Sequence, residues 1–145
     1  MKLEKLKFFG IALGLACLVA CGDSGTNSSG NYCDVGRDAN SVWSKMGVDG
    51  RATYNVTVTK SSNRYVSIVS EYWFSSAGAA KYNCDLYQNQ ASRWLDGSMK
   101  TECTGNTVIV KEIDEGSLDD HYADLSENCE EVDYKRIKNM LDQYE

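Results

Sequence analysis

The sequence predicts an α+β domain of order ββαββα, one antiparallel sheet with two helices packed on one face and disulfides stapling the layers. Three observations carry this. Residues 52–59 and 64–74 alternate apolar and polar with period two, the mark of half-buried strands. Residues 80–94 and 118–144 carry apolar stripes at helical spacing. Cys33, Cys84, Cys103 and Cys129 form an even set in a chain of 145 residues, too short for more than one domain.

Residues 32–50 offer no clear pattern and read as irregular or briefly strand-like. The first clear strand is Ala52–Thr59, with Tyr54, Val56 and Val58 on one face and Thr53, Asn55, Thr57 and Thr59 on the other. Lys60–Asn63 is a turn. Arg64–Phe74 returns as a second strand with Val66, Ile68, Ser70, Tyr72 and Phe74 on one face, closing a hairpin. Ser75 and Ser76 are N-cap candidates, since a serine hydroxyl can accept from an unpaired amide of the first helical turn. The stripe Ala80, Cys84, Tyr87, Ala91, Trp94 then defines the first helix, which Asp96-Gly97 should end. Met99–Cys103 and Thr107–Ile113 form a second hairpin around Thr104–Asn106. Ser117 caps the last helix, whose stripe runs Leu118, Tyr122, Leu125, Cys129, Val132 and on through Ile137, Met140, Leu141 and Tyr144, with a break expected near Ser126–Asn128. Each one-sided helix needs a surface to lie on, and a single sheet supplies it for both.

The element lengths favour one cysteine pairing out of three. From Cys84 the helix descends about 16 Å at 1.5 Å per residue, and the following strand climbs about 20 Å to Cys103 at 3.3 Å per residue. The two nearly cancel, which favours Cys84–Cys103 and leaves Cys33–Cys129 to clamp the N-terminal segment to the last helix. A four-cysteine zinc site needs close pairs, and the gaps here are 50, 18 and 25 residues.

The first residues carry an address. Lys2, Lys5 and Lys7 precede the thirteen-residue apolar run Phe8–Ala20, too short to span a membrane and typical of a secretory signal. The run ends Leu18-Val19-Ala20-Cys21 and gives way at once to polar residues. This resembles the lipobox of bacterial lipoproteins. The resemblance covers the targeting segment alone, and implies that Cys21 is acylated and becomes the N-terminus after residues 1–20 are removed. Residues 22–31 (GDSGTNSSGN) then read as a flexible tether, about 15–20 Å long on average, joining the lipid to a single domain at 32–145. In well-studied Gram-negative cells an Asp directly after the acylated Cys of such lipoproteins implies inner-membrane retention. Gly22 occupies that position here, so the expected site is the outer membrane.

Charge and composition exclude several classes. The full chain carries −6, and residues 21–145, with 12 basic and 20 acidic side chains, carry −8. Nucleic-acid binding starts from a basic surface and is not expected. An acidic body is also repelled by an anionic bilayer, which fits a tethered domain rather than one lying flat. A single His leaves little room for His-based catalysis or metal binding. No cofactor, metal or catalytic residue is expected.

The remaining candidates each have two readings. Ten acids between Glu112 and Asp133, without Lys or Arg among them, are either a solvated face or a weak cation site; they lack the alternating register of a calcium loop. Tyr65 and Trp73 fall on the strand face opposite Phe74. If that face is open, they form with Trp43 a platform for a sugar or a protein partner. Otherwise residues 32–50 cover it and Trp43 packs there. His121, in an acidic helix start, reads as a solvated salt-bridge partner.

The expected function is therefore that of a membrane-anchored lipoprotein with a non-catalytic binding or structural role at the cell envelope, its partner an envelope protein or a polysaccharide. A carbohydrate-binding module using the strand aromatics is the alternative. A small hydrolase would need a deep pocket with convergent acids. Peptide mapping without reduction should recover Cys84 linked to Cys103; a Cys33–Cys84 link would overturn the packing of the first helix against the third predicted strand.

Overall fold

The structure is a computed structural model that describes residues 30–93 and 97–142, with side chains through residue 139. The signal segment, Cys21, nearly all of the tether and Trp94 lie outside the described residues. Six strands form one antiparallel sheet: β1 (Tyr32–Arg37), β2 (Ser41–Val48), β3 (Arg51–Lys60), β4 (Tyr65–Trp73), β5 (Met99–Thr104) and β6 (Thr107–Glu115). Their order is β1-β2-β3-β4-β6-β5. Among the described residues three helices pack on this sheet: α1 (Ala77–Ala91), α2 (Leu118–Glu130) and α3 (Tyr134–Asp142).

The order is thus ββββαββαα, with two strands and one helix more than the sequence pattern predicts. Residues 32–48 are not irregular. They pair in register from Tyr32↔Gly47 to Arg37↔Val42 and extend the sheet as its first two strands. Asp38 makes their turn, its carboxylate accepting the amides of Asn40 and Ser41 at 2.8 Å each. Asp49-Gly50 makes the next, with φ of 53° and 76°. Both central residues at positive φ match the right-handed twist of the flanking strands, which is why Asp-Gly suits a two-residue hairpin. Gly30 and Asn31, assigned to the tether by composition, belong to the folded part: Gly50 donates to the Gly30 carbonyl and Asp49 N–H to Asn31 Oδ1.

The pairing register gives the sheet two distinct faces. Val42, Ser44 and Met46 of β2 lie opposite Val58, Val56 and Tyr54 of β3, which lie opposite Ile68, Ser70 and Tyr72 of β4. This face is the core: Val42, Val56 and Val58 are fully buried. Each such side chain contributes about 1.5–3 kcal/mol relative to exposure. α2 and α3 cover it through Leu118, Tyr122, Leu125 and Ile137, with Val132 of the segment between them. α1 covers the β5–β6 end through Ala80, Cys84 and Tyr87, packed on Met99, Val108 and Val110.

Local chemistry sets the helix ends. Ser76 caps α1 by accepting from Ala79 N–H, and Ser117 caps α2 by accepting from Asp120 N–H, both at 3.1 Å. α1 stops at Ala91, short of the expected Asp96-Gly97, where Ser92 donates its hydroxyl to Asn89 C=O. The break in the last helix comes at 131–133, after the expected Ser126–Asn128. Ser126 stays within α2, its hydroxyl donating back to the Tyr122 carbonyl, while Asp133 accepts from Arg136 N–H and starts α3.

Two disulfides tie the helices to the sheet. Cys84–Cys103 joins α1 to edge strand β5, and Cys33–Cys129 joins α2 to the opposite edge strand β1. The loops they close differ greatly, with sequence separations of 96 for Cys33–Cys129 and 19 for Cys84–Cys103. Chain-entropy scaling gives about 4.7 and about 3.2 kcal/mol for loops of these sizes. Replacing Cys33 and Cys129 with Ala should therefore cost about 1.5 kcal/mol more than replacing Cys84 and Cys103, measured by urea denaturation.

Candidate functional site

The helices all lie on one face, and among the described residues no element packs over the other. This helix-free face corrects the reading in which residues 32–50 cover it: those residues widen it instead. It carries Tyr32, Asp34 and Gly36 from β1, Trp43, Lys45 and Gly47 from β2, Asn55, Thr57 and Thr59 from β3, Tyr65, Ser67, Val69, Glu71 and Trp73 from β4, and Ile109, Lys111 and Ile113 from β6.

Two aromatic rings lie flat on it because glycine stands opposite each. Trp43 pairs with Gly36 across the β1–β2 ladder, and a Cβ at Gly36 would meet ring carbons of Trp43 at 2.0, 2.4 and 2.5 Å. Distances so nearly equal to bonded ring carbons place the indole face, not its edge, over the glycine. Tyr32 covers Gly47 in the same way, at 2.2 Å. The missing side chains let each ring rest on backbone, so Gly47 is buried and Gly36 half-buried, and the rings are held parallel to the sheet. The two pairs are four positions apart along the ladder, about 13 Å at strand rise.

Beside Trp43 the face dips into an open depression of about 260 Å³, lined by Trp43, Lys45, Asn55, Thr57 and Glu71 among others. It lies across two cross-strand rows, and Val69 at the end of the first is not part of its lining. One is Trp43, Thr57, Val69; the next is Lys45, Asn55, Glu71. Lys45 Nζ stands 5.2 Å from the Trp43 ring centroid. The depression thus offers an apolar ring face alongside hydrogen-bond donors and acceptors of both charge signs.

Of the residues expected to form the platform, Trp43, Tyr65 and Trp73 share this face but not one place on it. Tyr65 and Trp73 occupy opposite ends of β4, about 26 Å apart at strand rise, and Trp43 sits two strands away at the level of Val69. Trp73 borders a separate hollow at the sheet's end, with Val48, Arg51 and Phe74. Tyr32, Lys45, Asn55, Thr57 and Glu71 were not singled out from the sequence. Gly36 and Gly47 were the available signal, because a glycine inside a strand marks close approach.

The acids between Glu112 and Asp133 are dispersed. Glu115 pairs with Arg64 and Asp119 with Arg37, both at 2.8 Å, and Asp120 accepts from the Ser117 hydroxyl. Among the described residues no three His, Cys, Asp or Glu side chains gather to hold a metal ion. His121 is not solvated as its acidic surroundings suggested: it is buried, and its ring lies against Gly116, where a Cβ would stand 3.2 Å from Nε2. The helical phase of α2 turns it inward on the side of Leu125.

The helix side holds a second aromatic group. Tyr54, Tyr72 and Tyr87 stack in sequence, with centroids 4.9 and 5.4 Å apart, where α1 meets β3 and β4. Burial pushes all three phenols above their ordinary range, Tyr87 to about 12. Nearby Glu112 reinforces the shifts. Phenols held so firmly neutral suit a structural seam between the two halves of the core.

No protein-family model matches this chain, and neither characterised proteins nor solved structures give a match.

The tyrosine seam makes a pH prediction. Phenols with a raised folded pKa bind protons more tightly in the folded state, so their stabilisation is complete below about pH 10 and drains away as pH rises towards about 12. Urea stability should fall across that window, and less steeply in Tyr72→Phe than in the wild type.

Proposed function

We propose that this chain is a lipid-anchored protein of the bacterial cell envelope that acts by binding, without catalysis, through the open face of its sheet. The anchor reading rests on Leu18-Val19-Ala20-Cys21, and Gly22 after the acylated residue favours the outer membrane. The two disulfides are compatible with a location outside the cytoplasm. No helix among the described residues is long and apolar enough to cross a membrane. Attachment by acyl chains, which anchor stably when two or more are present, does not require one.

The observation that carries the binding role is the open face itself. Stability requires burying only the helix side, yet the opposite side holds two aromatic rings in fixed orientation, with Lys45, Asn55, Thr57 and Glu71 beside one of them. A tether at residues 22–29 would hold this face near the membrane and leave it free to turn. The partner is an envelope protein or an envelope polysaccharide.

Two measurements test this. In detergent phase partition the wild type should enter the detergent phase and Cys21→Ser should stay aqueous; an aqueous wild type overturns the anchor. The unanchored Cys21→Ser protein should also co-sediment with envelope fragments. Adding Val69→Lys at the centre of the open face should release it, whereas Lys135→Glu on exposed α3 should not. Equal loss from both, or no sedimentation at all, overturns the binding face.

A further inference from the structure

We propose that the depression beside Trp43 is a subsite for one ring of an uncharged glycan, stacked on the indole, with its hydroxyls directed to Asn55, Thr57, Lys45 and Glu71. The proposal rests on the open face being the binding surface and names the ligand class of that same face.

The ring geometry comes first. One face of the Trp43 indole is occupied by the backbone at Gly36, so its other face is turned away from the sheet; Lys45 Nζ stands over the ring at 5.2 Å from its centroid, and a stacked sugar would move this ammonium aside to its hydroxyl rim. A ring fixed in this way loses little rotamer freedom on binding, the condition for a stacking platform. A sugar ring has an apolar C–H face that matches such a surface and a rim of hydroxyls that each donate and accept.

The neighbouring row supplies what that rim needs. Asn55 offers both an amide donor and a carbonyl acceptor, Thr57 a hydroxyl, Lys45 donors and Glu71 acceptors. The two rows are two residues apart along each strand, about 7 Å at strand rise, a gap that the hydroxyl rim of a single sugar ring spans.

The charges select among ligands. Lys45 and Glu71 flank Asn55 on either side in one cross-strand row. A sugar acid or an amino sugar placed there meets a like charge as well as an opposite one, and gains no net attraction. An uncharged sugar satisfies both groups through hydroxyls. An apolar peptide side chain would desolvate Lys45, Asn55 and Glu71 without a compensating bond, which is costly. The opposed charges therefore favour a neutral, hydroxyl-rich ligand over the other occupants of an open sheet.

The test uses full-length protein in a detergent without a sugar headgroup, titrated with the hexamers of cellulose, chitin, amylose and β-mannan and followed by calorimetry. Saturable binding of at least one is expected, weakened about tenfold or more in Trp43→Ala, equivalent to about 1.4 kcal/mol. Gly36→Ala, which keeps the indole but displaces it, should weaken binding similarly, while Trp73→Ala should bind as the wild type does. The deacetylated, cationic form of the chitin hexamer and an anionic galacturonate hexamer should bind more weakly than the best neutral one.

No saturable binding by any of the four neutral hexamers overturns the proposal, as does binding that survives Trp43→Ala or fails in Trp73→Ala. A Trp43-dependent dimer in sedimentation analysis overturns it in favour of a second copy as the occupant. If neutral glycans fail while Val69→Lys still releases the protein from envelope fragments, the binding face stands and only its ligand class is wrong. If both fail, the functional reading falls with it.

Discussion

The constraint on which this domain depends is the burial of a single face of a six-stranded sheet beneath helices too short to stand alone. α2 has thirteen residues and α3 nine, and helices of this length are marginal in water without a surface to pack on. α1 has fifteen, but buries only Ala79, Ala80 and Cys84, a small apolar area for its length. The sheet has the complementary problem, since its valine-rich face must be removed from water. Each layer is the condition for the other, and the disulfides hold them together at the two edges. Cys84–Cys103 fixes the helix with the smaller apolar surface, while Cys33–Cys129 secures the edge strand farthest from the chain's central hairpins.

The second face follows from the first. Once the three described helices lie on one side, the even-numbered residues of β1 and the odd-numbered residues of β2 and β4 have only each other and solvent. Strand glycines on such a face would leave backbone exposed, and here Trp43 and Tyr32 cover them. The arrangement stabilises the β1–β2 edge and at the same time fixes two aromatic surfaces outward, so one device serves both folding and presentation. Surface ion pairs such as Lys111–Glu102 contribute little to stability at their exposure, but they keep this wide face mixed in charge, with no large uniform field.

Polar groups inside the core are placed where the layers need space. Ser44 and Ser70 lie on the buried face among valines. The Ser44 hydroxyl lies 3.4 Å from Cys129 Sγ, filling the angle between β2 and the disulfide with a small side chain that still has a partner. Tyr54, Tyr72 and Tyr87 bridge the two hydrophobic clusters, since Tyr72 packs against both. The helix side is thus one continuous core assembled from two nuclei.

Much of this was local and therefore legible. Alternation in β3 to β6, the caps at Ser76 and Ser117 and the turn at Gly105-Asn106 are properties of short stretches of chain. The disulfide pairing emerged from helix rise and strand rise alone. β1 and β2 were legible in principle from Asp49-Gly50 and from the alternation of Val42, Ser44, Met46 and Val48. Gly36, Gly47 and the polar residues of β1 obscured them, because their strand character comes from cross-strand partners rather than intrinsic propensity. The position of the break before α3 was similarly hidden, because Val132 and Ile137 keep the helical stripe in phase across it. What the amino acids determined by themselves was the inward face of β3 and β4 and the apolar stripes of α1 and α2, and an N-terminal pattern resembling a lipobox. Only the tertiary structure decided that residues 32–48 extend the sheet rather than cover it, and that Trp43 meets Lys45, Asn55, Thr57 and Glu71. Those outcomes depend on strand order and register, which are settled by the summed burial of residues distant in sequence.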